Sequence, residues 1–233
     1  MSTAAARLGG HRARAAGGAA SERAWGVTWA RFGAGVAGAG LMLLALALPL
    51  WQAEIQAPQY PGGLHMSASG DGVTGDVDEI NILNHYVGMR PFDEKDIPEL
   101  DLWLPTVVLG VGLVGIATVA RRRWMRVLAV VGLWAIPLGV LADIQWRLWQ
   151  YGHDLNPEAA LRVGAFTPWV VGPTKVWNFT TVARPGFGLV AVVAAAAFVT
   201  FAPTVARRLG SRSAGRAAAA AAAVIAVVAL AAV

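Results

Sequence analysis

The residues of this chain that could bind a metal are concentrated in one polar segment, residues 80–89, with the sequence I-N-I-L-N-H-Y-V-G-M. His85 and Met89 stand four positions apart, and Asn81 lies one turn before His85. Residues four apart share one face of a helix, so an imidazole and a thioether there could reach the same ion. Soft sulfur together with imidazole selects copper over calcium or magnesium. The spacing therefore indicates a copper site.

Other candidate ligands lie in the same polar regions of the chain. They are His65 and Met66, adjacent in sequence, and His153 from a second polar segment. The chain has no cysteine, which excludes disulfides, thiolate metal sites and covalent haem attachment. On a strand, neighbouring side chains point to opposite faces, so His65 and Met66 would not both bind one ion. The alternative interpretation is that these residues have structural roles only: His85 hydrogen-bonds within a compact loop, and Met89 packs beneath it.

A short helix should position these residues. Asp76 or Asp78 is a suitable N-cap, and apolar residues at 80, 83 and 87 fall on one face. The acidic residues that follow are predicted to form a solvated face; they are Asp93, Glu94, Asp96, Glu99 and Asp101.

Composition places the chain in a membrane. Hydrophobic residues make up 56% of it and charged residues 14%, against about 25% charged residues in soluble domains. We predict an all-α membrane protein with about five transmembrane helices and two long extracytoplasmic loops. The predicted spans are 33–50, 104–120, 127–142, 185–206 and 217–233. A secretory signal peptide is the competing interpretation of the first span.

The predicted organisation follows from these spans. Residues 1–31 form a basic cytoplasmic tail, 32–206 a four-helix membrane domain with outer loops 52–103 and 143–184, and 207–233 a basic turn with an Ala-rich terminal helix. The tail and the turns at 121–126 and 207–216 hold 13 of the 19 Lys and Arg residues. Basic segments stay in the cytoplasm, so the N-terminus is predicted inside and both long loops outside.

The second outer loop should cover the first. It carries Y-G-H-D-L-N-P at 151–157 and an aromatic stretch at 166–180, where prolines forbid a long helix. Free aromatic loop residues are costly, so we expect them to pack on the first loop or in the bilayer interface. This packing would bring His153 near His85.

These segments carry a family resemblance. A-P-Q-Y-P-G-G-L at 57–64, the 80–89 segment, Y-G-H-D-L-N-P and the 166–180 stretch resemble a family of small polytopic bacterial membrane proteins encoded near nitrous-oxide reductase maturation genes. The resemblance covers roughly residues 45–190. It implies a multi-pass protein of the bacterial cytoplasmic (inner) membrane that handles copper, or assists metalloenzyme assembly, on the periplasmic side. It also implies His85 and Met89 as ligands, with Asn81, Asn84 and Tyr86 as supports.

The sequence thus predicts a non-enzymatic membrane accessory protein that binds copper or docks a copper carrier. The alternative is a structural or assembly subunit of a larger membrane complex, with no metal of its own. Its expected partners are the lipid bilayer and a protein on the extracytoplasmic side or within the membrane. Nucleic acid is not expected, since the basic residues form short cytoplasmic turns. Catalysis is not expected either, because nucleophile–base spacings, HExxH, a P-loop and a dinucleotide fingerprint are all missing from the sequence.

Overall fold

The computed structural model describes residues 28–93 and 97–209. This part of the chain contains five α-helices, a short 3-10 helix and five β-strands. The helices are α1 (residues 28–44), α2 (Val77–Val87), α3 (Trp103–Val119), α4 (Arg123–His153) and α5 (Phe187–Leu209), and the 3-10 helix is Pro98–Leu102. The strands are β1 (Trp51–Ala57), β2 (Tyr60–Ser69), β3 (Gly72–Gly75), β4 (Gly172–Val176) and β5 (Phe179–Pro185).

The predicted all-α fold is wrong, because both outer loops contribute strands to one antiparallel sheet. The strand order is β3-β2-β1-β5-β4. At the centre of the sheet, Trp51 of β1 pairs with Ala68 of β2 on one side and with Pro185 of β5 on the other. Strands from residues more than a hundred positions apart therefore form a single outer domain.

Burial alternates from one residue to the next along β1 and β2, which explains why these polar segments form strands. Trp51 and Ala53 of β1 are buried, and so are Leu64 and Met66 of β2, while His65 between them is exposed. Alternating side chains point to opposite faces of a sheet, so one face is apolar and the other polar. The apolar face packs on α2 and on the outer end of α4. Segments this short and this polar do not stand out as hydrophobic runs.

The sheet confirms that the two long loops lie on the same side of the helices. β1 follows α1 after a short turn, and β5 runs into α5 with only Gly186 between them. The arginine-rich turn between α3 and α4 lies at the opposite ends of those helices. The sheet is therefore joined to two of the helices by short segments.

Three helical segments are long and apolar enough to cross a membrane: Pro98–Val119, Arg123–His153 and Phe187–Val205. The chain is therefore a membrane protein, but the prediction of five spans is wrong for the described residues. The described part of α1 is shorter than these segments, and the predicted first span 33–50 is interrupted when the helix ends at residue 44. The predicted fifth span at 217–233 lies outside the described residues, as does most of the tail.

The helix α1 packs tightly inside the helical bundle. A Cβ at Gly35 would lie 2.4 Å from Oγ1 of Thr118 in α3, and one at Gly38 would lie 3.1 Å from a methyl of Val199 in α5. Arg31, assigned to the tail by sequence, is in this helix and donates to the carbonyl oxygen of Thr118 at 2.5 Å. Small residues let helix backbones approach closely in membranes, which accounts for the glycines in α1.

The helix α4 continues beyond the predicted span 127–142 as far as His153. Its 31 residues span about 46 Å at 1.5 Å each, against a hydrocarbon thickness of about 30 Å. The outer end therefore projects into the sheet domain, where Leu148 joins the apolar core beneath the strands. Pro137 lies inside the helix without ending it.

Candidate functional site

The helix α2 begins and ends close to the predicted positions. Asp76 is the N-cap residue, although its carboxylate accepts a hydrogen bond from the backbone N–H of His65 at 2.8 Å instead of capping the helix. Ile80 and Val87 are buried, and Leu83 packs against the same core, which confirms the predicted apolar face. This face fixes the helix on the sheet.

The end of α2 separates the two residues expected to share a helical face. Gly88 adopts a left-handed conformation with φ of 82° and ends the helix. The N–H of Met89 then donates to the carbonyl oxygen of Asn84 at 2.8 Å, so Met89 lies beyond the last helical turn. His85 remains in the helix and is exposed. The spacing argument that paired His85 with Met89 on one helical face is therefore wrong.

Met89 instead meets Met66 at a small cavity beneath the sheet. The cavity has a volume of about 90 Å³, and both methionines line it together with Trp51 and Asn84. Met66 is 5% exposed, and the remaining wall is mostly apolar or aromatic, with Leu83, Val87, Phe92, Leu148, Phe166 and Phe179 among its residues. Two methionines from different elements thus line one small cavity.

Asn84 gives this cavity a polar group. It is 7% exposed, and its Nδ2 has no hydrogen-bond partner among the described residues. A buried amide without a partner costs about 1–3 kcal/mol, which a molecule or ion with its hydration shell in the cavity would offset. The orphaned Nδ2 is a hydrogen-bond donor and needs an acceptor, so at this cavity the methionine thioethers, and not this nitrogen, are the atoms that a soft metal ion would prefer.

Asn81 holds the chain on the far side of this cavity. Its side-chain Oδ1 accepts from the N–H of Phe92 at 2.7 Å, and its Nδ2 donates to the carbonyl oxygen of the same residue at 3.3 Å. This reciprocal pair fixes the segment after Met89. In the structure Asn81 therefore holds the backbone at Phe92, and its support of a metal ligand stays a prediction.

The two outer loops pack on each other where the sequence motifs meet. The N–H of Asn156 donates to the carbonyl oxygen of Gly88 at 2.8 Å, and the N–H of Leu161 donates to that of Tyr86 at 2.9 Å. Arg90 and Asp154 form an exposed ion pair at the same boundary. The Tyr86 side chain itself is half exposed, so its backbone makes the contact. The expected covering of the first loop by the second is confirmed.

The histidines remain on the surface. His65 lies on β2, His85 on α2, and His153 on the end of α4, and all three are exposed. His153 stacks on Trp149 with ring centroids 4.6 Å apart and shares a hydrogen bond with its carbonyl oxygen at 2.9 Å. Within residues 28–93 and 97–209, no three His, Asp or Glu side chains are grouped as a metal site. Met66 and Met89 line one cavity, whereas the three histidines lie exposed on three different elements.

A charged group was missed by the sequence reasoning. Arg147 of α4 donates two hydrogen bonds to the carboxylate of Glu99, and both side chains are partly buried. Glu99 therefore does not belong to the expected solvated acidic face. Asp143 lies one turn before Arg147 and interacts electrostatically with both partners. The sequence signal for this group was the i, i+4 spacing of Asp143 and Arg147. This spacing is typical of one helical face and indicates that the helix continues past residue 142.

No protein-family model matches this chain, and no curated protein matches it significantly. The function of the site is therefore inferred from the chemistry of its side chains and from their placement in the fold.

Proposed function

We propose that the protein is an integral membrane accessory protein of the bacterial cytoplasmic membrane that handles copper on the extracytoplasmic side, in the maturation of a metalloenzyme of the nitrous-oxide reductase type. The observation that carries this proposal is the convergence of Met66 and Met89 on one small cavity beneath the sheet. The motif resemblance of the outer loops points to the same role.

The chemistry of the cavity favours Cu(I). Thioether sulfur is a soft ligand that binds Cu(I) in preference to hard cations such as calcium and magnesium. The chain has no thiolate to compete for the ion. Aromatic and aliphatic side chains, among them Trp51, make up most of the cavity wall. Asn84 could turn its amide so that the carbonyl oxygen faces the ion, since either end of an amide fits the same volume.

The exposed histidines suit a different step of copper handling. His85 is in the last turn of α2, close in sequence to Met89, and His153 lies at the end of α4. Imidazole binds copper, so exposed histidines could receive the ion before it reaches the thioethers. Met66 and Met89 then retain the ion, and the histidines take no part in its retention.

Copper stoichiometry tests the retention site. The purified chain should bind about one Cu(I) against a chelating competitor, as expected for one soft-ligand cavity. The double variant M66L/M89L should lose this binding. Leucine conserves the volume of methionine, and such exchanges cost less than about 1.5 kcal/mol each. Met42→Leu is the matched control, because Met42 is fully buried in the helical bundle and does not line this cavity. Equal copper in the double variant and in the control would reject the site.

A structural or assembly role is the second candidate, and one observation favours it. Trp177 lies in the two-residue turn between β4 and β5, at the end of the sheet farthest from α5, with φ of 55° and 60% of its surface exposed. A bulky residue in the left-handed region is strained. A protein partner at this end of the sheet would bury the exposed indole. A wild-type chain that binds no Cu(I) but cross-links to a partner through position 177 would favour this role.

A further inference from the structure

A second, larger cavity lies between α3 and α4 at the base of the sheet. Its volume is about 620 Å³, within the usual range for small-molecule sites. Its lower wall is formed by apolar and small residues of the two helices: Leu109, Leu113, Gly132, Ala135, Ile136 and Gly139. Leu109 is 58% exposed, so this wall faces outward from the bundle. In a membrane, such a groove opens toward the hydrocarbon.

The upper end of the same cavity is charged. Glu99, Asp143 and Arg147 line it, two acids with one base, at the level where α4 leaves the helical bundle for the sheet domain. Ionisable groups within membrane segments mark functional sites more often than structural ones. A groove that is apolar at one end and charged at the other matches an amphiphile.

Trp103 supplies a further polar group to this cavity. Its indole is 6% exposed and lines the cavity, and its Nε1 has no hydrogen-bond acceptor among the described residues. Gly70 of the β2–β3 turn lies against the ring, because a Cβ there would be only 1.6 Å from the indole Cδ1. A buried tryptophan N–H usually finds an acceptor. A bound molecule with an ester or phosphate oxygen would provide one.

We propose that this groove binds a phospholipid whose headgroup carries a primary amine. Its acyl chain would lie along the apolar wall between α3 and α4. Its ammonium would donate to Asp143 and Glu99, and its phosphate would accept from Arg147 and from the Trp103 indole N–H. The two carboxylates outnumber the guanidinium, which disfavours an anionic headgroup without an amine. This groove shares a wall with the proposed copper cavity, including Met66, but lipid binding in it does not depend on copper binding.

The amine is the specific feature of this prediction. A primary ammonium donates charge-assisted hydrogen bonds to carboxylates, whereas a quaternary choline has no N–H to donate. When all three lipids carry the same acyl chains, phosphatidylethanolamine should therefore bind most tightly, phosphatidylcholine less tightly and phosphatidylglycerol least tightly.

The test is native mass spectrometry of the full chain in detergent, after removal of co-purified lipid and titration with each of these three lipids. Phosphatidylethanolamine should bind about tenfold more tightly than phosphatidylcholine, since one charge-assisted hydrogen bond is worth about that factor. Asp143→Asn should remove the preference for phosphatidylethanolamine over phosphatidylcholine. Equal binding of all three lipids, or an unchanged preference in D143N, would overturn the proposal.

A cavity-filling variant keeps the test independent of charge. Gly139→Leu places a side chain in the groove, and a Cβ at Gly139 meets no atom within 4 Å, so the fold should be retained. This variant should lose phosphatidylethanolamine binding. Gly115→Leu is the matched control, because Gly115 lies in α3, has equally open space and does not line the groove. If G139L binds the lipid as well as G115L does, the groove is not the binding site.

Discussion

Gly88 determines where Met89 lies. Its left-handed backbone ends α2 and turns the chain toward the cavity that Met66 also lines. The second outer loop approaches it closely: a Cβ at this position would be 2.8 Å from the carbonyl oxygen of Asn156 and 2.9 Å from the Cβ of Ala159. Glycine is required here both by backbone conformation and by space.

Gly88→Ala should therefore destabilise the outer domain. The left-handed conformation costs a non-glycine residue about 1–2 kcal/mol, and the contacts with the second loop add to this. Chemical denaturation of the purified chain in detergent measures the loss. Gly62→Ala is the control, because a Cβ at Gly62 meets nothing within 4 Å. If both variants unfold at the same denaturant concentration, Gly88 does not hold the loop as described.

The thioethers and the imidazoles are separated by the geometry of single residues. On β2, the alternation of side chains buries Met66 and exposes His65. At the end of α2, Gly88 moves Met89 out of helical register with His85. The prediction that His65 and Met66 point in opposite directions is confirmed, while the pairing of His85 with Met89 on one helical face is not. The sequence signal that separates them is Gly88 itself, because glycine is the residue that most often ends a helix in the left-handed conformation.

At the scale of elements, α4 connects the two halves of the molecule. It crosses the helical bundle, and Leu148 near its outer end lines both cavities. Gln145 fixes the second loop to this helix. Its side-chain Nε2 donates to the carbonyl oxygen of Pro168 at 3.0 Å, and its Oε1 accepts from the N–H of Val170 at 3.0 Å. Val170 in turn accepts from the Trp51 indole N–H at 2.7 Å. One helix thereby positions Pro168, which lines the small cavity together with Met66 and Met89.

Gln145→Leu should release this part of the second loop. The substitution removes two hydrogen bonds, each worth about 1 kcal/mol, so a loss of about 2 kcal/mol is expected. Hydrogen exchange should rise at residues 166–171, where the loop follows α4. Gln150→Leu is the control on the same helix, since Gln150 is exposed. Unchanged exchange at 166–171 in Q145L would show that the loop is held by other contacts.

At the scale of the whole molecule, the sequence predicted the environment better than the fold. Hydropathy predicted a membrane protein, and charge predicted that both long loops share one side, which the common sheet confirms. The five-stranded sheet was missed because its strands are short, half polar and paired across the chain. The pairing of β1 with β5 depends on contacts between distant residues, which local patterns do not encode.

The two cavities are neighbours within one outer domain. Trp51, Met66, Phe92 and Leu148 line both of them. These four residues form a common wall between the proposed copper cavity and the groove that faces the bilayer. The short connections from α1 to β1 and from β5 to α5 join this wall directly to the helical bundle. A cavity lined by two methionines thus lies next to the groove between α3 and α4.

The identity of the atoms around bound copper tests the central claim most directly. X-ray absorption at the copper edge of the full-length chain, loaded with one equivalent of Cu(I), reports its nearest neighbours. If Met66 and Met89 retain the ion, the first shell contains sulfur, and the M66L/M89L variant lacks it while M42L keeps it. A wild-type first shell of nitrogen and oxygen alone, or a sulfur signal that survives in M66L/M89L, would contradict the account.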